Sequence, residues 1–310
     1  MKLLHNISPY SISWIKSNKD AFEKEGNVIK NLYYPETQRE LIDLLREMYS
    51  SGKDFSVIGC SSNTLFLPSY SAENVVCTTE LNTWVETDDT IVCECGVNVP
   101  VLSRRMVEKG VVGFEGMTDL PGTIASGVYG NCGCRGCSVL SLLQEFKLMS
   151  EDGEIRTLHT QDLKAEYRST SLKRGELKGV IIEVVLRKTS GDADDLKKKA
   201  AENHEYRRTH QPSAANNLGT TFNGGNVRTA KGCLYGFIEK LIAVTSPSKS
   251  ARAKNAKLLK LVGQSKFIPY VYCWNRYMFL DAESHMIFQE YFDFLKSLYK
   301  DVRLEIEIKG

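Results

Sequence analysis

The sequence predicts an α+β protein of two or three domains, and three observations carry that prediction. Apolar residues at helical spacing are followed by short β-rich runs over residues 32–109, strand-like runs flank an Asp152-Gly153 turn over residues 142–188, and a charged stretch at 189–203 is nearly free of apolar residues. The first two mix helix with antiparallel pairing, and the third marks a domain boundary. At roughly 100–200 residues per domain, 310 residues accommodate that count.

The elements follow in order. Pro35 and Thr37 open a helix whose Leu41, Leu44, Leu45 and Met48 recur on one face, and Phe55-Ser-Val-Ile-Gly59 is a short strand. After a small-residue loop at 59–63, the runs NVVCTTEL and TIVCECGVNV read as strands, and 101–109 returns to helix. LLQEFKLMSEDGEIRTL folds back at Asp152-Gly153, a strong hairpin signal, and GVIIEVVLRKT is a buried strand. Past the charged break come a Gly/Asn-rich segment (QPSAANNLGTTFNGGN) and a basic stretch at 249–266 without an acid. An amphipathic helix near 284–299 (Met286, Phe288, Tyr291, Leu295, Leu298) and an alternating terminal strand, VRLEIEI, complete the chain. No internal repeat of 20–50 residues is visible.

Composition excludes several classes. Forty Lys+Arg against 38 Asp+Glu leave a net charge of +2, so no global field argues for nucleic acid or an acidic membrane surface. With 42% hydrophobic and 25% charged residues the chain is neither disordered nor fibrous. The N-terminus lacks the apolar core and cleavage site of a secretory signal, and no run approaches the roughly 18 apolar residues of a membrane span. Nine cysteines are an odd count, five of them in C-x-C or C-x-C-x-x-C spacing, and the chain is large enough to fold without disulfides. A cytoplasmic protein with no membrane insertion is expected.

Two glycine-rich loops point to chemistry. Val57-Ile-Gly-Cys-Ser-Ser-Asn-Thr-Leu-Phe66 leaves a strand and can turn several backbone N–H groups and hydroxyls toward one anion, as a pyrophosphate requires. Residues 113–136, GFEGMTDLPGTIASGVYGNCGCRG, hold seven glycines in 24 positions, a run costly in chain entropy. Neither loop has the G-x-G-x-x-G or G-x-x-x-x-G-K-[ST] spacing, which sets aside the nicotinamide Rossmann and P-loop readings and leaves another phosphate-bearing cofactor.

The order G-C-S-S-N-T-L-F, then G-F-E-G-x-x-x-L-P-G-T-I-x-x-G-V-x-x-N-x-G, then Tyr167-Arg168-Ser169, then Gln211-Pro212 with Gly219-Thr-Thr-Phe222, then Glu305-Ile-Glu-Ile-Lys-Gly310 resembles the UDP-N-acetylenolpyruvoylglucosamine reductase (MurB) family. The first two segments alone indicate the wider vanillyl-alcohol-oxidase (PCMH-type) FAD-binding fold. The resemblance implies a two-subdomain FAD-binding module plus a C-terminal α+β substrate domain: residues 1–88 with the strand 302–310 returning to them, 89–203, and 204–301. It implies FAD held non-covalently, since neither loop has a histidine to bond the flavin. The expected cofactor residues are Gly59, Cys60, Ser61, Ser62, Asn63, Thr64, Pro121, Gly122, Thr123, Ala125, Ser126, Gly127, Asn131 and Gly133. It also implies NADPH as electron donor, a small-molecule nucleotide-sugar substrate, and a monomer or small homo-oligomer.

In the family, hydride goes to an enolpyruvyl double bond, and the carboxylate-bearing carbon is stabilised and protonated. Three residues match by motif. Arg168 would bind and polarise the carboxylate with its planar fork, Thr220 in the family's serine position would supply the proton, and Glu305 would orient the carboxylate. Tyr167, Asn223 and Gln211 are expected at the substrate. The family's G-S-x-F-K-N-P becomes Gly219-Thr-Thr-Phe-Asn-Gly-Gly225, so a substrate-contacting lysine is missing, and the terminal E-V-R-x-I-G becomes E-I-E-I-K-G. The flavin half is better preserved than the substrate half, which favours a paralogue acting on a related sugar nucleotide in cell-wall or surface-polysaccharide synthesis. Lys249, Arg252, Lys254, Lys257, Lys260 and Lys266 would then meet a diphosphate or form a solvated helix face. Tyr270, Tyr272 and Trp274 would stack a base or fill the core. Two other readings stay open: an alcohol oxidase or dehydrogenase of the wider fold, and a non-catalytic flavin-binding paralogue. No metal is expected, a zinc site from Cys132, Cys134 and Cys137 lacking a second distant pair.

Overall fold

The helix Gln38–Ser50 shows how the sequence builds the first half of the fold. Thr37 caps it by accepting the Glu40 N–H, and Leu41, Leu44, Leu45 and Met48 form its buried face. That face packs against Val76 of one sheet and Met149, Val180 and Ile182 of another. The computed structural model describes residues 1–17, 26–212, 216–246 and 250–310, and divides into two compact units.

The first unit comprises 1–7, 28–61 and 72–209. Its first sheet has the order Lys2–Ile7, Ile29–Tyr34, Ala72–Cys77, Ser56–Ile58, antiparallel at the first pair and parallel at the other two. Its second is wholly antiparallel, in the order Ile155–His159, Leu143–Met149, Val180–Arg187, Thr90–Glu94, Trp84–Glu86. The hairpin at Asp152-Gly153 forms as expected, with Gly153 at φ +81°. The second sheet and the helix Val99–Glu108 enclose the largest core, which includes Leu102, Met106, Phe146, Val184 and Leu186.

The second unit comprises 8–27, 62–71 and 210–310. Its core is aromatic: Phe222, Phe267, Tyr277, Phe279, Phe288 and Tyr291 are all nearly inaccessible. Tyr291 and Tyr277 place their hydroxyls on the carbonyls of Trp274 and Ser284, so the buried polar tips are satisfied. Short strands complete the unit. Phe222–Asn223 pairs with Arg303–Leu304, and Glu307–Lys309 runs parallel to Thr64–Phe66.

Several sequence expectations change. The charged run at 189–203 is no linker: Ala193–His210 is a helix. Asp192 accepts the N–H groups of Asp194 and Asp195 at its start, and Leu196 is its one buried residue. The expected division at residue 88 leaves Trp84–Glu86 with the first sheet, whereas it is the edge strand of the second. The helix near 284–299 is two, Ala282–Met286 and Phe288–Leu298, meeting at Ile287. The terminal strand is interrupted, because Glu305 and Ile306 are both buried while Ile308 is exposed, and strict alternation requires otherwise.

Candidate functional site

The first glycine loop begins where the strand Ser56–Ile58 stops. Thr78 donates both its backbone N–H and its hydroxyl to the Ile58 carbonyl, ending the ladder there. The next three N–H groups, of Gly59, Cys60 and Ser61, make no hydrogen bond to the described residues. Ser61 has φ +53°, an arrangement that turns successive N–H groups to one side. Its hydroxyl is buried yet also without a partner among the described residues. An unpaired buried hydroxyl costs about 1–3 kcal/mol, and a ligand oxygen would relieve that cost. The Cys60 thiol takes the Asn98 amide at 3.9 Å, and burial pushes its pKa up, so it stays a neutral thiol.

The second loop lies directly beneath. A Cβ on Gly59 would stand 2.6 Å from the Thr123 hydroxyl, so only glycine permits the approach. Thr123 is fixed, capping the helix Ile124–Tyr129 in a reciprocal box with Ser126. Most of the second loop's N–H groups are already engaged within the fold. The N–H groups of Ile124 and Ala125 donate to Val97 and Cys95, those of Thr123 and Ser126 are used in the box, and that of Gly127 reaches the Thr123 carbonyl. Pro121 has no N–H, the Gly122 carbonyl accepts from Val99, and the Gly122 N–H makes no hydrogen bond to the described residues. The open donors therefore come from the first loop and from Gly122, and the rest of residues 121–127 form a close-packed floor.

Arg168 is held further along the same unit. Tyr167 and Arg168 form the tip of a two-residue turn closed by reciprocal Glu166–Ser169 bonds, with Arg168 at φ +55°. Its guanidinium donates to the carbonyls of Gly133 at 2.7 Å and Asn131 at 3.3 Å. Asn131 returns its amide to the Glu166 carbonyl at 2.7 Å. The arginine expected at a carboxylate and the asparagine and glycine expected at the cofactor are thus brought together, and the fork is oriented before any ligand arrives. Tyr167 is 64% exposed.

The second unit gathers a different set. The Asn63 side chain donates to the Glu305 carbonyl, and its own carbonyl accepts the Glu307 N–H, so the residue after Ser62 clamps the final strand. Glu305 is buried, 9% exposed, and its backbone N–H donates to the Thr221 carbonyl. Thr220 and Thr221 have opposite fates. Thr221 is fully buried, its hydroxyl accepting the Tyr277 N–H, whereas the half-buried Thr220 hydroxyl bonds no described residue. Thr64 lies in the strand Thr64–Phe66, and Gln211 is half-buried just past the helix Ala193–His210.

Asn223 replaces the lysine of the motif, and its amide oxygen accepts Arg303 Nε at 2.8 Å. A guanidinium therefore stands beside the position that lacks the lysine, a cation that sequence reasoning missed because the pairing spans 80 residues. Asn98 was missed too, although Asn98-Val-Pro carries the signature of a helix cap, with Pro in the first turn. Of the alternating aromatics Tyr270 is buried with its hydroxyl on Glu283, the half-buried Trp274 packs its ring on Tyr299, and Tyr272 is half-buried outside the core. The helix Ala251–Leu261 buries Asn255, Leu258 and Leu259 and exposes Arg252, Lys257 and Lys260, a solvated basic face, while Lys249 lies outside the described residues. Among the described residues no group of three or more His, Cys, Asp or Glu is placed to hold a metal ion. Nor is any described helix long and apolar enough to cross a membrane.

The FAD binding domain family matches residues 29–159, a span that includes both glycine loops. UDP-N-acetylenolpyruvoylglucosamine reductase of Caldicellulosiruptor saccharolyticus is 25% identical over 227 residues, covering 72% of this chain and 73% of its own. The Geobacillus kaustophilus protein of the same name is 26% identical over 191 residues, 62% of each chain. The solved structure of UDP-N-acetylenolpyruvylglucosamine reductase (MurB) from Thermus caldophilus matches over 100% of both chains with a TM-score of 0.69 at 18% identity. Together with the loop geometry, these likenesses make the chain a MurB-like flavoprotein with the PCMH-type FAD-binding fold of the FAD-dependent oxidoreductases.

Proposed function

We propose that the chain holds FAD non-covalently on the 59–61 loop and, with NADPH as electron donor, reduces a carboxylate-bearing double bond of a nucleotide-linked sugar. The observation that carries this reading is the anchoring of Arg168 on the carbonyls of Asn131 and Gly133, which fixes a carboxylate-binding fork against the segment matched as FAD-binding. The residues of the first loop fit a pyrophosphate: three N–H groups and one buried hydroxyl await acceptors there, and no cation is needed where backbone dipoles converge. Bound FAD would supply hydride transfer. The protein's own residues do the rest. Arg168 neutralises the carboxylate and favours negative charge developing on the adjacent carbon. The Thr220 hydroxyl, not engaged by described residues, is available to deliver a proton, and buried Glu305 orients the acid end of the substrate.

The Arg303 guanidinium at Asn223 supports a sugar nucleotide as substrate class, since a planar fork recognises phosphate or carboxylate oxygens where a lysine offers a point charge. An altered cation at that position also supports a related sugar nucleotide over UDP-N-acetylglucosamine enolpyruvate itself. The test is steady-state NADPH oxidation with a panel of nucleotide sugars bearing or lacking an enolpyruvyl carboxylate. Turnover only with carboxylate-bearing members upholds the reading, and turnover of simple alcohols with flavin reduction refutes it.

A further inference from the structure

Cys134-Arg-Gly-Cys137 forms a hairpin that the flavin chemistry leaves unused. Gly133–Cys134 pairs antiparallel with Cys137–Ser138, and Cys134 stands directly opposite Cys137. Arg135 at φ +53° and Gly136 at φ +81° make the two-residue turn between them. The Val139 N–H to Cys132 carbonyl bond, two positions farther from the turn, makes 134 and 137 a hydrogen-bonded pair, with Cα atoms about 5.5 Å apart. That separation lies within the roughly 4.4–6.8 Å that a disulfide spans.

The two sulfurs are not equivalent. Cys134 is partly exposed and receives an N–H of the Arg207 guanidinium at 3.7 Å, a contact that favours negative charge on that sulfur during attack. Cys137 is buried and accepts the Gly116 N–H at 3.3 Å. Arg135 stacks over the Tyr206 ring, 3.5 Å from its centroid, and with Arg207 pins the hairpin to the helix Ala193–His210. A cation-contacted, accessible thiol beside a sheltered partner is the division of labour that dithiol exchange requires.

We propose that Cys134 and Cys137 are a redox-active dithiol that exchanges with small-molecule disulfides, Cys134 attacking and Cys137 resolving. Written RS–SR for the small disulfide, the Cys134 thiolate bonds one sulfur and expels RS⁻. The Cys137 thiolate then bonds the Cys134 sulfur and expels the second RS⁻, and the two thiol protons leave on the two RSH products. The protein dithiol is oxidised by two electrons and the small disulfide reduced by two. Opposed Cβ atoms in an antiparallel pair lie about 4.5–5.5 Å apart, against about 3.5–4.5 Å in a disulfide, so closing the bond draws the strands together. The carbonyls that hold Arg168 belong to this segment, and oxidation therefore shifts the arginine's anchor.

The experiment treats the flavin-loaded protein with glutathione disulfide, alkylates the remaining thiols, and maps the peptides. The expected result is loss of alkylation at Cys134 and Cys137 together, a protein lighter by two hydrogens, and an intramolecular bond within 134–137 that a dithiol reductant reverses. In Cys137→Ser the glutathione adduct accumulates on Cys134, and in Cys134→Ser none forms on Cys137. Full alkylation of both residues in the wild-type protein, with adducts only on exposed Cys233, overturns the proposal, as does a bond through Cys132. The wild-type map decides even where a variant fails to fold.

Discussion

Ser61 combines a positive φ, deep burial and a hydroxyl without a partner among the described residues, three features that a ligand-free fold has no reason to keep together. Ser61→Ala removes the unpaired hydroxyl, so the flavin-free protein gains about 1 kcal/mol while flavin affinity falls roughly tenfold. Denaturant unfolding of apoprotein and fluorescence titration with FAD measure the two signs, and a loss in both would make the hydroxyl merely structural. Gly59 was legible in the sequence as a small residue in a loop; its contact with Thr123, 64 positions away, was not. Gly59→Ala sets a methyl against a hydroxyl fixed by two hydrogen bonds, and thermal unfolding together with flavin retention should both decline. For Arg303→Ala, KM for the sugar nucleotide should rise about tenfold with kcat little changed, the signature of lost uniform binding. An unchanged KM would remove Arg303 from the substrate.

At the scale of elements, strands and helices with one strong period were readable because each buries a single face: the helix Gln38–Ser50 and the hairpin at Asp152-Gly153 form as their patterns require. Elements failed to be read where side chains from elsewhere override the local pattern. The helix Ala193–His210 has nearly no apolar face and is held by a cap at Asp192, the Asn203 amide on the Glu115 carbonyl, and Arg207 on Cys134. Glu305 and Glu307 alternate in sequence, yet Glu305 is buried beside the pairing of Glu307–Lys309 with Thr64–Phe66. The helix Ala282–Met286 carries a pH dependence. His285 is packed against the rings of Phe279 and Tyr10, and burial lowers its pKa from 6.5 to about 4, against a smaller opposing pull from Asp281. The unfolded chain takes up this proton near pH 6.5 and the folded chain resists it until about 4. Stability is therefore full above pH 6.5 and falls by up to about 1.4 kcal/mol per pH unit toward 4. The unfolding midpoint of His285→Leu should fall less steeply over that window than the wild-type midpoint; parallel curves would contradict the assignment.

Across the whole molecule, the sequence order hid the division into units, because the segments 8–27 and 62–71 belong with the last hundred residues while their neighbours in sequence belong to the first unit. No composition break marks those crossings, since each is a few residues of ordinary loop. What was legible was the flavin half, where glycine is demanded by backbone contact and so survives as a pattern. The second unit is held by side-chain pairs such as Asn223 with Arg303, which leave no local signature. In the proposed reaction a reduced flavin passes its electrons to a carboxylate-bearing nucleotide sugar held by Arg168. Stopped-flow reoxidation is the test: the protein is reduced anaerobically with NADPH and mixed with the carboxylate-bearing nucleotide sugars of the panel. Reoxidation is expected to depend on the nucleotide sugar and to slow by about 100-fold in Arg168→Ala, roughly 3 kcal/mol of lost carboxylate stabilisation, with flavin still bound. A flavin that NADPH leaves oxidised, or reoxidation equally fast in Arg168→Ala, would contradict it.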